Sequence, residues 1–333
     1  MSEIRTSART PKLTLSKVKD AVMEKIVFIL AALSAAIIVI VFIFIFMKSA
    51  RIFSVNGLSF FTTKNFDQQI LKAFNAPADK PVWDFGVLGL IAGTFLTTFG
   101  AMIIAVIAGV TTAIVIAELA PPWMKRVLQT VIRLLASIPS IIYGLIGLMV
   151  VVPFIKSSLI TNQMQINFIK YFQLSGNSML AGIIVLSIMV LPIVVALSVD
   201  AINAVPKKHR EAALALGLSK WRTIVKVVIP AAKSGIIASV ILAAGRAIGE
   251  AIALSMVSGG VGNIPNLANG PVFFLTPVLT LASAIVNKSE TMSFETIQSA
   301  LFACGVVLLI MSTILSVFTK VVQNFVKRRE GNV

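Results

Sequence analysis

The chain has 333 residues, of which 57% are hydrophobic and 13% charged, and a mean hydropathy of +0.96. A soluble domain of this length would be much less apolar, so the composition describes an integral membrane protein. The net charge of +16 is not a nucleic-acid footprint, because the cations collect beside apolar runs instead of forming a patch on a folded domain. One cysteine, Cys304, excludes an internal disulfide, and the one histidine, His209, sits among Lys207, Lys208 and Arg210, which leaves no His/Cys metal site.

Residues 1–24 are a polar, basic tail (Arg5, Arg9, Lys12, Lys17, Lys19), expected to be disordered or to lie on the membrane surface. The first span is expected from about Lys25 to Met47, enough to cross roughly 30 Å of hydrocarbon at about 1.5 Å per residue. That run is too long for a signal peptide and lacks a small-residue cleavage site, so it is expected to remain as a helix. Residues 48–85, with Asp67, Asp79, Asp84, Pro77 and Pro81, read as an external loop. Spans two to four are expected over about Gly86–Leu119, Val127–Val152 and Ser178–Ala204, with a polar loop at 153–177. Pro121 and Pro122 end the second span, and Pro192 lies inside the fourth, where neighbouring groups can satisfy the freed carbonyl. A fifth span is expected over about Ser234–Val257, a Gly/Pro/Asn-rich loop at 258–295, and a sixth span from about Phe294 to Val322. Residues 326–333 form a basic tail. The expected architecture is all-α, with six transmembrane helices.

Twenty of the 29 Lys and Arg residues fall in the 118–133 and 203–233 segments and in the two tails with the adjoining span ends (Lys25 and Lys320), against eight in the opposite loops. This bias puts both termini and the 204–233 segment in the cytoplasm. The remaining cation, Arg246, lies about twelve residues from either end of the fifth expected span. A charge near the bilayer midplane is costly and marks a functional site by default. Glu250, one turn further on, is within salt-bridge reach. Either the two neutralise each other as a packing pair, or Arg246 meets an anion in transit, its planar fork suiting tetrahedral oxyanions.

Small residues recur at four-residue steps through Gly235, Ser239, Ala243, Ala247, Ala251 and Ser255. They suit a close helix contact, a seam between subunits or a pore lining. In the third span Arg133 can snorkel or face the solute. Ser137, Ser140 and Tyr143 can offer hydroxyls to an oxyanion or bond the backbone around Pro139. Glu118 can pair with Arg133 or Lys125, and Asp200 can face another helix or the membrane interface. No Gly-x4-Gly-Lys-[Ser/Thr] segment is present, so an ATP-driven process would need the nucleotide on another subunit.

Residues 211–230, EAALALGLSKWRTIVKVVIP, are basic and amphipathic. Glu211 can sit at a helix N-terminus, Gly217 can take a left-handed turn that ends a short helix, and Leu214, Leu218 and Trp221 can dock in a partner's groove. An interfacial helix lying on lipid is the alternative. Glu211-Ala212-Ala213, Gly217 and Ile229-Pro230 resemble the coupling-loop signature of ABC-importer permeases. Val227 stands where that pattern has Ile, and Ile229 where it has Leu.

Arg133–Leu145 (RLLASIPSIIYGL), Gly245–Glu250 (GRAIGE) with its continuation to Gly259, and Ala117–Pro121 are similar to the phosphate-specific permeases, the C-type subunit above all. The resemblance covers roughly residues 86–325. It implies a type I (MetI-like) permease fold in a bacterial or archaeal cytoplasmic membrane, with no cofactor in this chain. It also implies a homologous A-type permease, two B-type ATPase subunits carrying ATP and Mg, and an external phosphate-binding protein, in contact with membrane lipid and without nucleic acid. Arg246 and Glu250 would line the pathway, and residues 211–230 would couple it to the ATPase. Permeases for sulfate, molybdate or tungstate share the coupling motif. A stand-alone channel or secondary transporter would leave the motif unexplained, and no residue constellation supports a membrane enzyme.

Overall fold

The computed structural model describes residues 15–77 and 79–330, and the expected state of residues 1–14 lies outside them. The chain forms two compact units, residues 1–47 and 48–333. Within the described residues there is no strand, only an isolated bridge between Gly259 and Val278.

Helix α1 (Leu15–Asn56) contains the first candidate span, Val22–Asn56, which exceeds the expected Lys25–Met47 at both ends. From Val22 to Met47 nearly all its side chains are exposed and apolar, which suits a helix surrounded by lipid. At about 50 Å it outruns the hydrocarbon, so it must tilt or protrude.

In the second unit, residues 48–87 are not an open loop. The end of α1, α2 (Ser59–Thr62) and α3 (Phe66–Phe74) fold into a cap. Its core joins Ile52, Phe60, Phe66 and Phe85 to Leu281, Leu301 and Cys304. The polar groups inside are matched. Asn56 Nδ2 donates to Trp83 O at 2.7 Å, and Gln69 Oε1 accepts from Gly86 N at 2.7 Å. Asp67 accepts from Gly262 N and pairs with Lys288 at 3.0 Å.

The helices that follow are α4 (Leu88–Ile114), α5 (Pro122–Ala136), α6 (Ser140–Ile146), α7 (Val152–Leu159), α8 (Asn162–Phe168) and α9 (Met179–Asn203). The chain continues through α10 (Lys207–Ala215), α11 (Lys220–Thr223), α12 (Ile229–Ile248), α13 (Ile252–Val257), α14 (Val272–Leu275), α15 (Leu281–Asn287) and α16 (Glu295–Glu330). Single π-turns at Val115–Leu119, Gly147–Val151 and Ile224–Val228 link α4 to its end, α6 to α7 and α11 to α12. Each precedes a proline (Pro121, Pro153, Pro230). Proline has no N–H and its ring crowds the carbonyl four residues back, and one extra residue in the turn relieves both. Among the described residues six helices are long and apolar enough to cross a membrane: Val22–Asn56, Leu88–Leu119, Ser140–Leu159, Met179–Asn203, Lys220–Ile248 and Glu295–Val321.

Three further expected regions change. The third span runs over Ser140–Leu159, not Val127–Val152, because Pro139 biases Ile138 away from helix, and the loop expected at 153–177 contains most of α7 and all of α8. The separate α5 carries Lys125, Arg126 and Arg133, which would be costly in hydrocarbon. The fifth span starts at Lys220 and stops at Ile248, where Gly249–Ala251 break the helix. Third, the loop expected at 258–295 contains α14 and α15, the latter opened by a Thr280–Ser283 capping box.

Helix α9 is the most buried span and packs on α4, α5 and α12. The four-residue stripe of α12 belongs to this contact. Ser239 Oγ lies 2.8 Å from Ser198 Oγ, and Ala243 and Ala247 are buried. The α12 part of the stripe is thus a seam within the chain, whereas Ala251 and Ser255 lie beyond the helix break and are only half-buried. At the other end of the molecule Thr94 Oγ1 accepts from Leu281 N at 2.9 Å, tying α4 to α15.

Gly93 makes that tie possible, because a Cβ there would lie 2.5 Å from the Leu279 carbonyl oxygen, whereas nothing lies within 4 Å of a Cβ on Gly245. Gly93→Ala should therefore destabilise by about 1–3 kcal/mol. Gly245→Ala should be neutral or stabilising by about 0.5–1 kcal/mol, since both sites are helical. Thermal unfolding of the two purified variants in one detergent checks the opposite signs.

Candidate functional site: the coupling segment and the Arg246 concavity

Helix α10 begins after Pro206, so Glu211 falls in its second turn and not at its N-terminus; it is exposed, as is Ala212. The helix ends in a Schellman motif. Gly217 has φ +80°, Leu218 N donates to Ala213 O at 3.2 Å and Gly217 N to Leu214 O at 2.9 Å. Ser219 then caps α11 by accepting from Arg222 N at 3.4 Å. Ala213 is buried against the molecule. Leu214, Trp221 and above all Leu216 (83% exposed) face outward, and Leu218 is half-buried. Leu216 was visible in the sequence as the apolar residue preceding the turn glycine, but helical spacing alone does not select it, because it lies past the end of α10. Pro230 is the second residue of α12 and follows the π-turn.

Arg210, in the first turns of α10, takes the place expected of Arg133 or Lys125 as the partner of Glu118. Its Nη2 and Nε donate to Glu118 Oε1 at 2.7 and 3.1 Å, and its Nη1 and Nη2 donate to Val205 O and Ile202 O at 2.6 and 2.8 Å. Lys125 instead donates to Ala117 O at 3.0 Å and Asn203 Oδ1 at 2.7 Å. Arg133 pairs with Asp200 at 3.6 Å, with both side chains more than half exposed, a geometry worth little.

Arg246 occupies the last turn of α12 instead of the middle of a continuous helix. Because the helix breaks at Gly249, Glu250 does not share its face, and the packing pair, one of the two alternatives for Arg246 and Glu250, does not form. Glu250 is buried and accepts from Ala253 N at 3.0 Å, opening α13 as a cap. Arg246 is exposed and makes no ion pair among the described residues. It lines an open concavity of about 800 Å³ whose walls come from α5, α9, α12 and α16 and include Leu197, Leu242 and Leu315. The only other charged residue of that lining is Lys320, and no carboxylate is present. Tyr143 lies within electrostatic reach of Arg246.

The hydroxyls around Pro139 are largely committed to backbone. Ser137 Oγ donates to Leu134 O at 2.7 Å within the last turn of α5, and Tyr143 Oη donates to Leu135 O at 2.8 Å, tying α6 back to α5. Ser140, half-buried in the first turn of α6, makes no such bond.

Residues 105–329 match the family of binding-protein-dependent transport system inner membrane components. The chain belongs to that family. It is 38% identical over 285 residues to a probable ABC transporter permease, YqgH of Bacillus subtilis, covering 85% of this chain and 84% of that one. It is 34% identical over 256 residues to the phosphate transport system permease PstC of Pasteurella multocida, covering 74% and 77%. Among solved structures, an alginate ABC transporter superposes with a TM-score of 0.56 at 12% identity, over 90% of this chain and 94% of that one. The MetNI methionine ABC transporter gives 0.53 at 16%, over 72% and 95%. These likenesses establish the type I, MetI-like permease fold of a multi-pass membrane protein. The family match contains the coupling segment, the Arg210 cluster and the Arg246 concavity, whereas the cap built by residues 48–87 lies outside it.

Because Glu250 caps α13 and does not neutralise Arg246, Glu250→Ala should cost about 1 kcal/mol locally. That is about fivefold faster amide hydrogen exchange over residues 252–257, with Glu250→Gln close to wild type and Arg246→Gln without effect there. Equal loosening by Arg246→Gln would show the two side chains to be coupled after all.

Proposed function

We propose that this chain is the permease subunit of an ATP-driven importer that carries inorganic phosphate into the cytoplasm by alternating access. Arg246 carries the reading. It is a guanidinium without a carboxylate partner, on the wall of a largely apolar concavity, in a chain whose relatives include phosphate transport permeases. Low-dielectric walls strengthen its attraction for an anion, and the planar fork matches two oxygens of a tetrahedral oxyanion. An arginine neutralised by Glu250 would have been a poor anion site. With Glu250 turned into the α13 cap, the positive charge stays available.

The pathway would form between this chain and a homologous A-type permease, with Arg246, Tyr143 and Ser140 nearest the solute. Glu250, Ser137 and Arg133 would shape the site from behind or beside it. Residues 211–230 would seat Leu214, Leu216, Leu218 and Trp221 in a B-type ATPase subunit. Glu211, Ala212, Ala213, Gly217 and Pro230 would set the shape of that segment. ATP and Mg would bind the ATPase pair. A phosphate-binding protein would deliver solute at the opposite face, and the charge bias supports cytoplasmic termini. ATP binding would close the ATPase pair, drag the coupling segments inward and open the permease toward the loaded binding protein, and hydrolysis would reset it.

Labelled-phosphate uptake by phosphate-starved cells lacking this gene tests the proposal. Wild type should restore uptake that resists excess sulfate and molybdate, and Arg246→Gln at equal membrane level should lower it at least tenfold. Uptake blocked by sulfate or molybdate would reassign the solute to that oxyanion. Normal uptake by Arg246→Gln would remove the arginine from the pathway.

A further inference from the structure

The coupling segment joins α9 through only three residues, Ala204–Val205–Pro206, whose backbone is not part of either helix. A hinge of this kind transmits displacement poorly on its own. The Arg210 guanidinium spans it. Four of its N–H bonds are engaged: two go to Glu118 at the end of α4, one to Ile202 O in the last turn of α9, and one to Val205 O inside the link itself. The side chains of Arg210 and Glu118 are only 21% and 12% exposed. Arg210 also sits where α9 leaves carbonyls without helical partners and its dipole is negative, a position that favours a cation.

Lys125 ties the same two helix ends together from the α5 side. Neither Arg133–Asp200, loose and exposed at 3.6 Å, nor any other ion pair among the described residues connects α10 to a membrane helix.

We propose that Arg210 is a positioning residue for coupling. With Glu118 it forms a buried ionic strut by which movement of α10 is imposed on α4 and α9 together, across the Ala204–Pro206 link. The argument is one of stiffness. Two N–H groups converging on Glu118 Oε1, with two further N–H bonds held by backbone carbonyls, fix one geometry in a half-buried site, whereas a three-residue link can pivot. The outward face of α10 is then the handle and Arg210 the joint that fixes it to α4 and α9, while α11 runs directly into α12. Because coupling between two sites is reciprocal, the same strut carries the signal from the external face back to the ATPase. This rests on the reading of the chain as a permease driven by a separate ATPase.

The test uses the complete transporter in proteoliposomes: this chain, its partner permease, the ATPase pair and the binding protein. Basal ATP hydrolysis, its stimulation by loaded binding protein, and phosphate accumulation are measured for each variant. For Arg210→Gln and Glu118→Gln the ATPase subunits should co-purify in full and basal hydrolysis should stay within twofold of wild type. Stimulation and accumulation should both fall about tenfold. Arg210→Lys, which keeps the charge but loses the planar fork, should fall between.

The strut is overturned if both single variants couple within twofold of wild type. It is equally overturned if hydrolysis, stimulation and ATPase retention fall together in both single variants, since that describes a folding defect. If Arg210→Gln does not assemble, Glu118→Gln, isosteric and still an acceptor, decides. Wild type that is stimulated by the binding protein yet accumulates no phosphate would refute the phosphate reading alone, and the strut would still be read from the stimulation.

Discussion

A backbone carbonyl or amide inside hydrocarbon has no water to bond, and every interruption of a membrane helix must therefore be answered by something the protein supplies. The second unit of this molecule is arranged around its interruptions. Before Pro139 the last carbonyls of α5, Leu134 O and Leu135 O, accept from Ser137 N and Ile138 N in a tightened turn and further from the Ser137 and Tyr143 hydroxyls. At Gly249–Ala251 the new helix start is met by Glu250. At the end of α9 the loose carbonyls are met by Arg210. Before Pro121, Pro153 and Pro230 the helix absorbs the defect itself by widening one turn. Several polar side chains of the transport region thus serve the backbone first, and what they leave unbonded defines what a solute can meet.

That division sorts the charges. Glu118, Asp200 and Asp67 each hold a cation, and Glu250 holds an amide. The concavity lined by Arg246 and Lys320 has no such counter-charge. A pair of cations beside apolar walls is an unfavourable arrangement unless an anion passes there, or unless water and a neighbouring subunit cover it. The fold keeps acidic side chains elsewhere, and an anionic solute would meet no acidic competitor in that lining.

The coupling segment shows the complementary principle. Its apolar residues Leu214, Leu216 and Trp221 lie outside, exposed in the isolated chain, while its anchoring residues Ala213 and Arg210 lie inside. One short helix therefore has a face for a partner and a face for its own membrane helices. The Schellman turn at Gly217 sets the angle between α10 and α11 without a side-chain clash, since nothing lies near a Cβ there and only the positive φ restricts the residue.

Composition, span number and the coupling signature were legible in the sequence because they rest on local chemistry. A run of about twenty apolar residues is long enough to cross a membrane as a helix, and Gly217, without a Cβ, permits the left-handed turn that ends α10. Spans two, four and six were placed to within about two residues for the same reason. The start of span three was not, because amphipathic α5 and the span beyond it are both rich in Leu and Ile, and only the break at Pro139 separates them. The pairing of charges was illegible altogether. Arg246 and Glu250 stand one turn apart in sequence and part company because the helix ends between them, while Arg210 and Glu118 stand 92 residues apart and meet. Sequence spacing fixes neighbours only within a continuous helix, and it is tertiary packing that decides where a helix stops and which distant carboxylate a buried cation finds.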